Sequence, residues 1–255
     1  MIRALYAIFF TFLFFLVLGP PLLLHSRLVG NADLVYRVGV WGCKFALWLA
    51  GVRLEVRGRE KIPTGRAVVY MPNHQSNCDP PAVIAIVAPV VGLVKKEFFR
   101  IPVLGRAMLQ VGFIPVDRKS RAHALQAIEA AVKSLAAGRS FMVFPEGTRS
   151  RDGRLQPLKK GAFVMAIKAQ VPIVPISISG SSRIMQKGTF VIRPGVVRIT
   201  IHEAIPTRGC SMAGRRAIME RTRCAILSGL ADNEWPVGER PSIPPSRPPQ
   251  TASGS

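Results

Sequence analysis

His74 and Asp79 stand in H-x4-D spacing, where an apolar, β-prone run (residues 67–71) passes through a polar stretch into Pro80 and Pro81. Two prolines directly after Asp79 open a helix, because proline is tolerated in a first helical turn. Taken separately, each residue has an ordinary structural use: a histidine packed in a fold, an aspartate capping a helix. Taken together, they put an imidazole and a carboxylate on a loop between strand end and helix start, the edge of an α/β sheet where ligands bind. There the carboxylate would fix the imidazole tautomer and stabilise the imidazolium formed when the ring takes a proton. No serine or cysteine stands in a nucleophile setting, and neither G-x-S-x-G, a Walker loop nor H-E-x-x-H occurs. Cys78, inside the stretch, reads as a small packing residue. A His–Asp pair without an enzyme nucleophile points to direct attack by a substrate hydroxyl, with His74 as general base.

A second polar turn, Phe144-Pro145-Glu146-Gly147-Thr148-Arg149-Ser150, also follows a strand-like run. Gly147 lets the backbone approach an anion, Thr148 and Ser150 offer hydroxyls, and Arg149 can grip a phosphate with two N–H groups. Alone, such a turn is an ordinary turn. Residues 113–116 read as a strand that delivers Arg118 to its end, and Lys95 and Lys96 follow another; a solvated surface charge is the plain alternative for each. The other histidines stand in poorer settings. His25 borders an apolar segment, His123 lies on the polar side of a helix, and His202 continues the solvent phase of Arg198 and Thr200.

The elements that must position these residues alternate. Val52, Leu54 and Val56 interleave with charged residues as in a half-buried strand. Further strands are expected at 90–94, 113–116, 141–144 and 173–178, the last with an edge or bulge at Pro175. A hairpin is expected from 191–193 and 197–201 around Pro194-Gly195. Helices are expected over 80–88, 103–109, 161–169 and 212–230. The clearest is 121–137, where Leu125, Ile128, Val132 and Leu135 are spaced 3, 4 and 3 and Gly138 stops the run. Strands alternating with helices predict an α/β domain over residues 51–232, a central mixed sheet flanked by helices.

Residues 1–50 read as a membrane-associated helical segment. Residues 4–24 carry no charge and are about long enough to cross a hydrocarbon core. Pro20 and Pro21 are expected to shorten the uninterrupted helix to residues 4–19, leaving full span and half-insertion both open. Arg3 resembles a weak signal-peptide n-region, but no A-x-A site follows. Trp41 and Trp48, seven apart, suit an interfacial helix packed back on the first; a plain core helix is the alternative. Residues 233–255, rich in proline and poor in apolar side chains, are expected to be disordered.

The chain has 35 Lys and Arg against 14 Asp and Glu, a formal charge of +21, which calls for an anionic partner or surface. Nucleic acid, anionic lipid and a polyanionic thioester all qualify. A nucleic-acid module would interleave basic clusters with exposed aromatics; here the charges are scattered and the aromatics concentrate at the N-terminus. Cys43, Cys78, Cys210 and Cys224 are too scattered for a zinc site or disulfide framework and read as reduced thiols of a cytosol-facing protein.

Asn73-His74-Gln75-Ser76-Asn77-Cys78-Asp79 resembles the N-H-x-S-x-x-D block of the glycerolipid acyltransferase family, which includes 1-acyl-sn-glycerol-3-phosphate acyltransferases. Residues 112–118 resemble its second block, residues 144–150 its F-P-E-G-T-R-S block, and Val171-Pro172-Ile173-Val174-Pro175 its V-P-I-V-P block. The four occur in order across roughly residues 50–205. Leu158 is a departure, standing where many relatives carry Phe, and it bears on chain or lysolipid preference. The resemblance implies acyl transfer to the free hydroxyl of 1-acyl-sn-glycerol 3-phosphate, giving phosphatidate in phospholipid biosynthesis; a lyso-ornithine lipid is the rival acceptor. It implies His74 as base, oriented by Asp79. Glu146, Gly147, Thr148 and Arg149 would bind the acceptor, Arg149 on its phosphate, with Arg118 and Lys96 assisting. The donor would be acyl-CoA or acyl carrier protein, a co-substrate; no cofactor and no metal is expected. The expected partners are the lysophospholipid and a membrane surface, not nucleic acid. The expected place is a membrane, in a bacterium the inner one, with the site facing the cytoplasm. Oligomeric state is left open.

Overall fold

The computed structural model of the chain describes residues 2–117, 119–189 and 191–239. Its first two helices, α1 (Ile2–Val29) and α2 (Asp33–Leu49), pack against each other as a hairpin. Among the described residues one helix is long and apolar enough to cross a membrane, over Phe9–Val29. Contrary to expectation, α1 runs unbroken through Pro20 and Pro21. Each proline removes an amide and crowds the carbonyl four residues back. Just before the prolines Gly19 packs closely on Val103; a Cβ on Gly19 would lie 2.1 Å from that valine's Cγ1. In α2 the two readings share one helix. Val35 and Leu47 are buried, while Trp41, Phe45 and Trp48 stack in a row and Trp48 stays 70% exposed. Phe14 of α1 closes on Trp41 at 5.7 Å between ring centres.

The body is a seven-stranded mixed sheet: β1 (Val52–Arg57), β2 (Val69–Pro72), β3 (Val91–Lys95), β4 (Ile114–Val116), β5 (Phe141–Met142), β6 (Ile173–Ser179) and β7 (Gly195–Ile201). Their order is β1-β7-β6-β2-β5-β3-β4. Strands β2 to β6 are mutually parallel, whereas β7 runs antiparallel to β6 and β1 parallel to β7. The helices are α3 (Asp79–Val87), α4 (Leu104–Val111), α5 (Arg121–Ala136), α6 (Lys160–Ala169), α7 (Ser181–Ile184) and α8 (Arg215–Ser228). One face of the sheet is covered by α2 and α3, through Leu47, Val83 and Ile86; the other by α5, α6 and α8, through Leu135, Phe163 and Ile218. All of β2 and β6 is buried, as parallel strands covered on both faces must be.

Two expectations are corrected here, and of the two offered for Pro175 the bulge holds and the edge does not. No hairpin forms around Pro194-Gly195: β1 takes that edge, all six of its residues pairing with residues 195–200, a longer ladder than 191–193 could offer. Pro175 lies in a central strand. Ile176 pairs with Ile201 but Ile173 pairs with Ile205, so one extra residue is accommodated opposite the proline that cannot donate. The segment expected to be disordered from residue 233 is ordered to 239. There buried Glu234 accepts hydrogen bonds from the amides of Gly180 (2.7 Å) and Ala231, its carbonyl accepts from Leu155, and Arg223 pairs with Glu239. Residues 240–255 of the segment expected to be disordered lie outside the described residues.

Candidate active site

The C-terminal ends of β2, β5 and β6 open on one edge of the sheet, and three loops leave them. Asn73, at the end of β2, uses its side-chain amide as a piece of strand: Oδ1 accepts from the Ile178 amide (2.6 Å) and Nδ2 donates to the Ile178 carbonyl (2.9 Å). That latch fixes where residue 74 begins. The His74 imidazole then lies 2.9 Å, through Nδ1, from Asp79 Oδ2. The same oxygen accepts the amides of Gln75 and Ser76, both at 2.7 Å. Asp79 is fully buried in the first turn of α3, where the helix dipole favours a negative charge. Its carboxylate turns back to the preceding loop instead of capping the helix as expected. An oxygen holding two amide donors acts as acceptor towards the ring as well, so Nδ1 carries the proton and Nε2 is left with a free lone pair.

Phe144 stacks flat on the imidazole, ring centres 3.9 Å apart, and leaves the His74 side chain 15% exposed. The second turn is tied to the first by its backbone. The amide of Ser150 donates to the His74 carbonyl (2.8 Å), and Glu146 Oε1 accepts the His74 amide at 2.5 Å. Glu146 Oε2 accepts the amide of Gln156 at 2.9 Å. The sequence reading put Glu146 on the acceptor. The structure buries it to 1% exposure with both oxygens engaged by backbone, so it positions the two loops. Burial pushes its carboxyl up to about 8, with the Asp79 charge adding, against the two amides that favour the anion.

Gly147 takes the left-handed region (φ +71°) with the Lys159 side chain laid against it; a Cβ there would come within 2.9 Å of Lys159 Cδ. The Arg149 side chain has no carboxylate partner among the described residues. Thr148 is exposed beside it. Lys96, expected to assist, follows β3, but its ammonium is engaged by Asp117 at 2.5 Å, which holds that carboxyl down at about 2. Arg118 lies outside the described residues. The thiol of Cys78 is pushed up to about 12 by burial and then by the Asp79 charge, which suits a packing residue. All four cysteines are unpaired. Among the described residues no group of three His, Cys, Asp or Glu side chains could hold a metal ion.

Sequence reasoning gave no role to three participants. Asn73 and Phe144 lie inside the quoted blocks, and their place beside His74 was the available signal. Lys187 has none: it sits in an unpatterned stretch, yet its ammonium donates to the Arg149 carbonyl (2.7 Å) and Thr148 Oγ1 (3.3 Å). His202 is corrected as well. It turns inward, Nε2 lying 2.7 Å from Ser177 Oγ, and burial followed by the Lys61 charge lowers it to about 4.

A family model described as Acyltransferase matches residues 53–179, the stretch that holds both turns. A chloroplastic 1-acyl-sn-glycerol-3-phosphate acyltransferase of Brassica napus, BAT2, is 37% identical over 155 residues, 60% of this chain and 45% of its own length. The 1-acyl-sn-glycerol-3-phosphate acyltransferase alpha of Homo sapiens is 33% identical over 183 residues, 71% of this chain and 65% of its own. The chain belongs to the acyltransferase family. It spans less than two thirds of the length of either curated relative. The crystal structure of the 1-acyl-sn-glycerophosphate acyltransferase PlsC from Thermotoga maritima shares the fold of this acyltransferase-family chain. Its TM-score is 0.74 at 29% identity, covering 86% of this chain and 91% of the other.

Proposed function

We propose that the protein transfers an acyl chain from a thioester donor to the free hydroxyl of 1-acyl-sn-glycerol 3-phosphate, giving phosphatidate. The observation that carries this reading is the His74 ring, held through Nδ1 by a buried carboxylate so that Nε2 keeps its lone pair, with the Arg149 guanidinium, without a carboxylate partner among the described residues, on the adjoining loop. In this mechanism Nε2 takes the hydroxyl proton as the oxygen attacks the thioester carbonyl. The tetrahedral intermediate collapses, the C–S bond breaks, and the imidazolium returns its proton to the departing thiolate. General-base catalysis of this kind contributes about 10²–10⁴-fold. Arg149 holds the phosphate, which lines up the hydroxyl. His74 and Asp79 are the catalytic pair, Gly147, Thr148 and Arg149 receive the acceptor, and Glu146 positions both loops.

The reading needs no cofactor, and the donor is acyl-CoA or acyl carrier protein. Both are polyanionic, as the excess of basic residues suits. The apolar α1 supports a site held at a membrane surface, where the lysolipid resides, and basic residues facing anionic lipid favour the cytoplasmic side, in a bacterium that of the inner membrane. The test is incubation of purified protein with labelled acyl-CoA or acyl carrier protein and a panel of lysolipids. Phosphatidate is the expected product, and the preferred donor emerges from the same assay. Acylated ornithine lipid in place of phosphatidate would overturn the acceptor assignment.

A further inference from the structure

Lys187, on the segment that follows α7, reaches across to the turn that carries Arg149. Its ammonium donates 2.7 Å to the Arg149 carbonyl and 3.3 Å to Thr148 Oγ1. An ammonium has three N–H donors, so one remains. Arg149 and Arg151 stand on the same turn, and the three cations have no ion-pair partner among the described residues. The nearest acid in sequence, Asp152, is engaged with the Ser150 hydroxyl and the Arg154 amide. Lys96, by contrast, is neutralised by Asp117. Like charges gathered without a counter-ion repel, and partial burial followed by the charges of Arg151 and Arg149 lowers the pKa of Lys187. The arrangement is complete only when a multiply charged anion joins it.

We propose that Lys187 is a further specificity-determining residue of the acceptor site, turning its third N–H on the phosphate beside Arg149 and selecting a phosphomonoester dianion over a singly charged phosphodiester. The inference rests on the proposed function, because it assigns the acceptor's phosphate to this loop. It extends that reading to a residue outside the four sequence blocks and gives the site a reason to discriminate by charge: a second cation contacts the second negative charge of the monoester and has none to meet in a diester.

The experiment compares wild type with Lys187→Ala, Lys187→Gln and Lys187→Arg. Acylation of 1-acyl-sn-glycerol 3-phosphate is followed by initial rates, and binding of labelled glycerol 3-phosphate and of its methyl diester by equilibrium dialysis. Loss of the ammonium is expected to raise the acceptor KM and weaken glycerol 3-phosphate binding by about tenfold or more, the scale of one charge-assisted hydrogen bond. Donor KM and methyl-diester binding should stay close to wild type, and Lys187→Arg should recover most of the loss. A fall in kcat alone, with acceptor KM and glycerol 3-phosphate binding unchanged, would reduce Lys187 to a brace for the 148–149 turn and overturn the inference. Equal weakening of monoester and diester would overturn the selectivity. Thermal melting of each variant separates these outcomes from misfolding. A wild-type protein that binds glycerol 3-phosphate through Lys187 but does not acylate the lysolipid would defeat the proposed function while leaving the anion site standing.

Discussion

Two imidazoles among the described residues are largely enclosed, each hydrogen-bonded through one nitrogen, and they end as opposite tautomers. His74, at the sheet edge, meets a buried carboxylate through Nδ1. His202, beneath α8, meets the Ser177 hydroxyl through Nε2. That hydroxyl donates its own hydrogen 2.5 Å to the Ile226 carbonyl, so His202 must supply the Nε2 proton. A carboxylate favours a ring that gains charge; a hydroxyl committed to a carbonyl offers no such support, and burial keeps His202 neutral. The partner, not the histidine, decides which ring nitrogen keeps its lone pair.

The sharpest way to break the comparison is His74→Ala. Turnover should fall by about 10²–10⁴-fold with folding intact, as read by initial rates beside circular dichroism. Substantial residual turnover would take His74 out of the base role. Asp79→Asn should come next. It removes the charge behind the ring and presents an amide nitrogen or a weaker acceptor to the donors at Gln75 and Ser76, so kcat should drop about 10²-fold or more and the melting temperature should fall. Glu146→Gln tests the brace without touching either ring partner. One of its two amide contacts is lost, costing about 1–3 kcal/mol in denaturant unfolding, with a smaller fall in rate than either dyad variant.

His202→Gln should leave turnover unchanged and alter only the pH dependence of stability. The unfolded histidine binds a proton near 6.5 and the folded one near 4, so between these values the unfolded state holds more protons. Stability through His202 therefore rises with pH across that window and is lost as pH falls. Glu146 acts in the other direction. Its folded pKa of about 8 lies above the ordinary 4.5, so the folded state holds the extra proton and stability declines as pH rises from 4.5 to 8. The two terms oppose each other between pH 4.5 and 6.5, so urea unfolding over a pH series should show His202→Gln lose the rise and leave a decline with pH there, and Glu146→Gln do the reverse.

How much of this was legible follows from which interactions are local. Only four residues lie between His74 and Asp79, a tight turn joins them, and both residue types announce the chemistry. Glu146 was legible as a site residue but not as a brace. Its partners lie 72 and 10 residues away, and a carboxylate beside an arginine reads equally well as a ligand for substrate. Pro175 announced a break in pairing, and the one-residue shift between Ile176 and Ile173 shows where it falls. His202 was misread because alternation along β7 assigns Arg198 and Thr200 to the outer phase. That phase ends with the strand at Ile201, and the bulge opposite Pro175 turns the next residue inward.

By itself the sequence determined the apolar N-terminal helix, the alternation of strands and helices, and the meeting of an imidazole with a carboxylate at His74 and Asp79, because each depends on residue type and short spacing. The tertiary structure decided the rest. Only the parallel arrangement of β2, β5 and β6 brings residues 74, 146 and 187 to one edge, and only the enclosure there turns a glutamate into a brace. Burial and long-range hydrogen bonds assign those roles, and neither is written in any stretch of neighbouring residues.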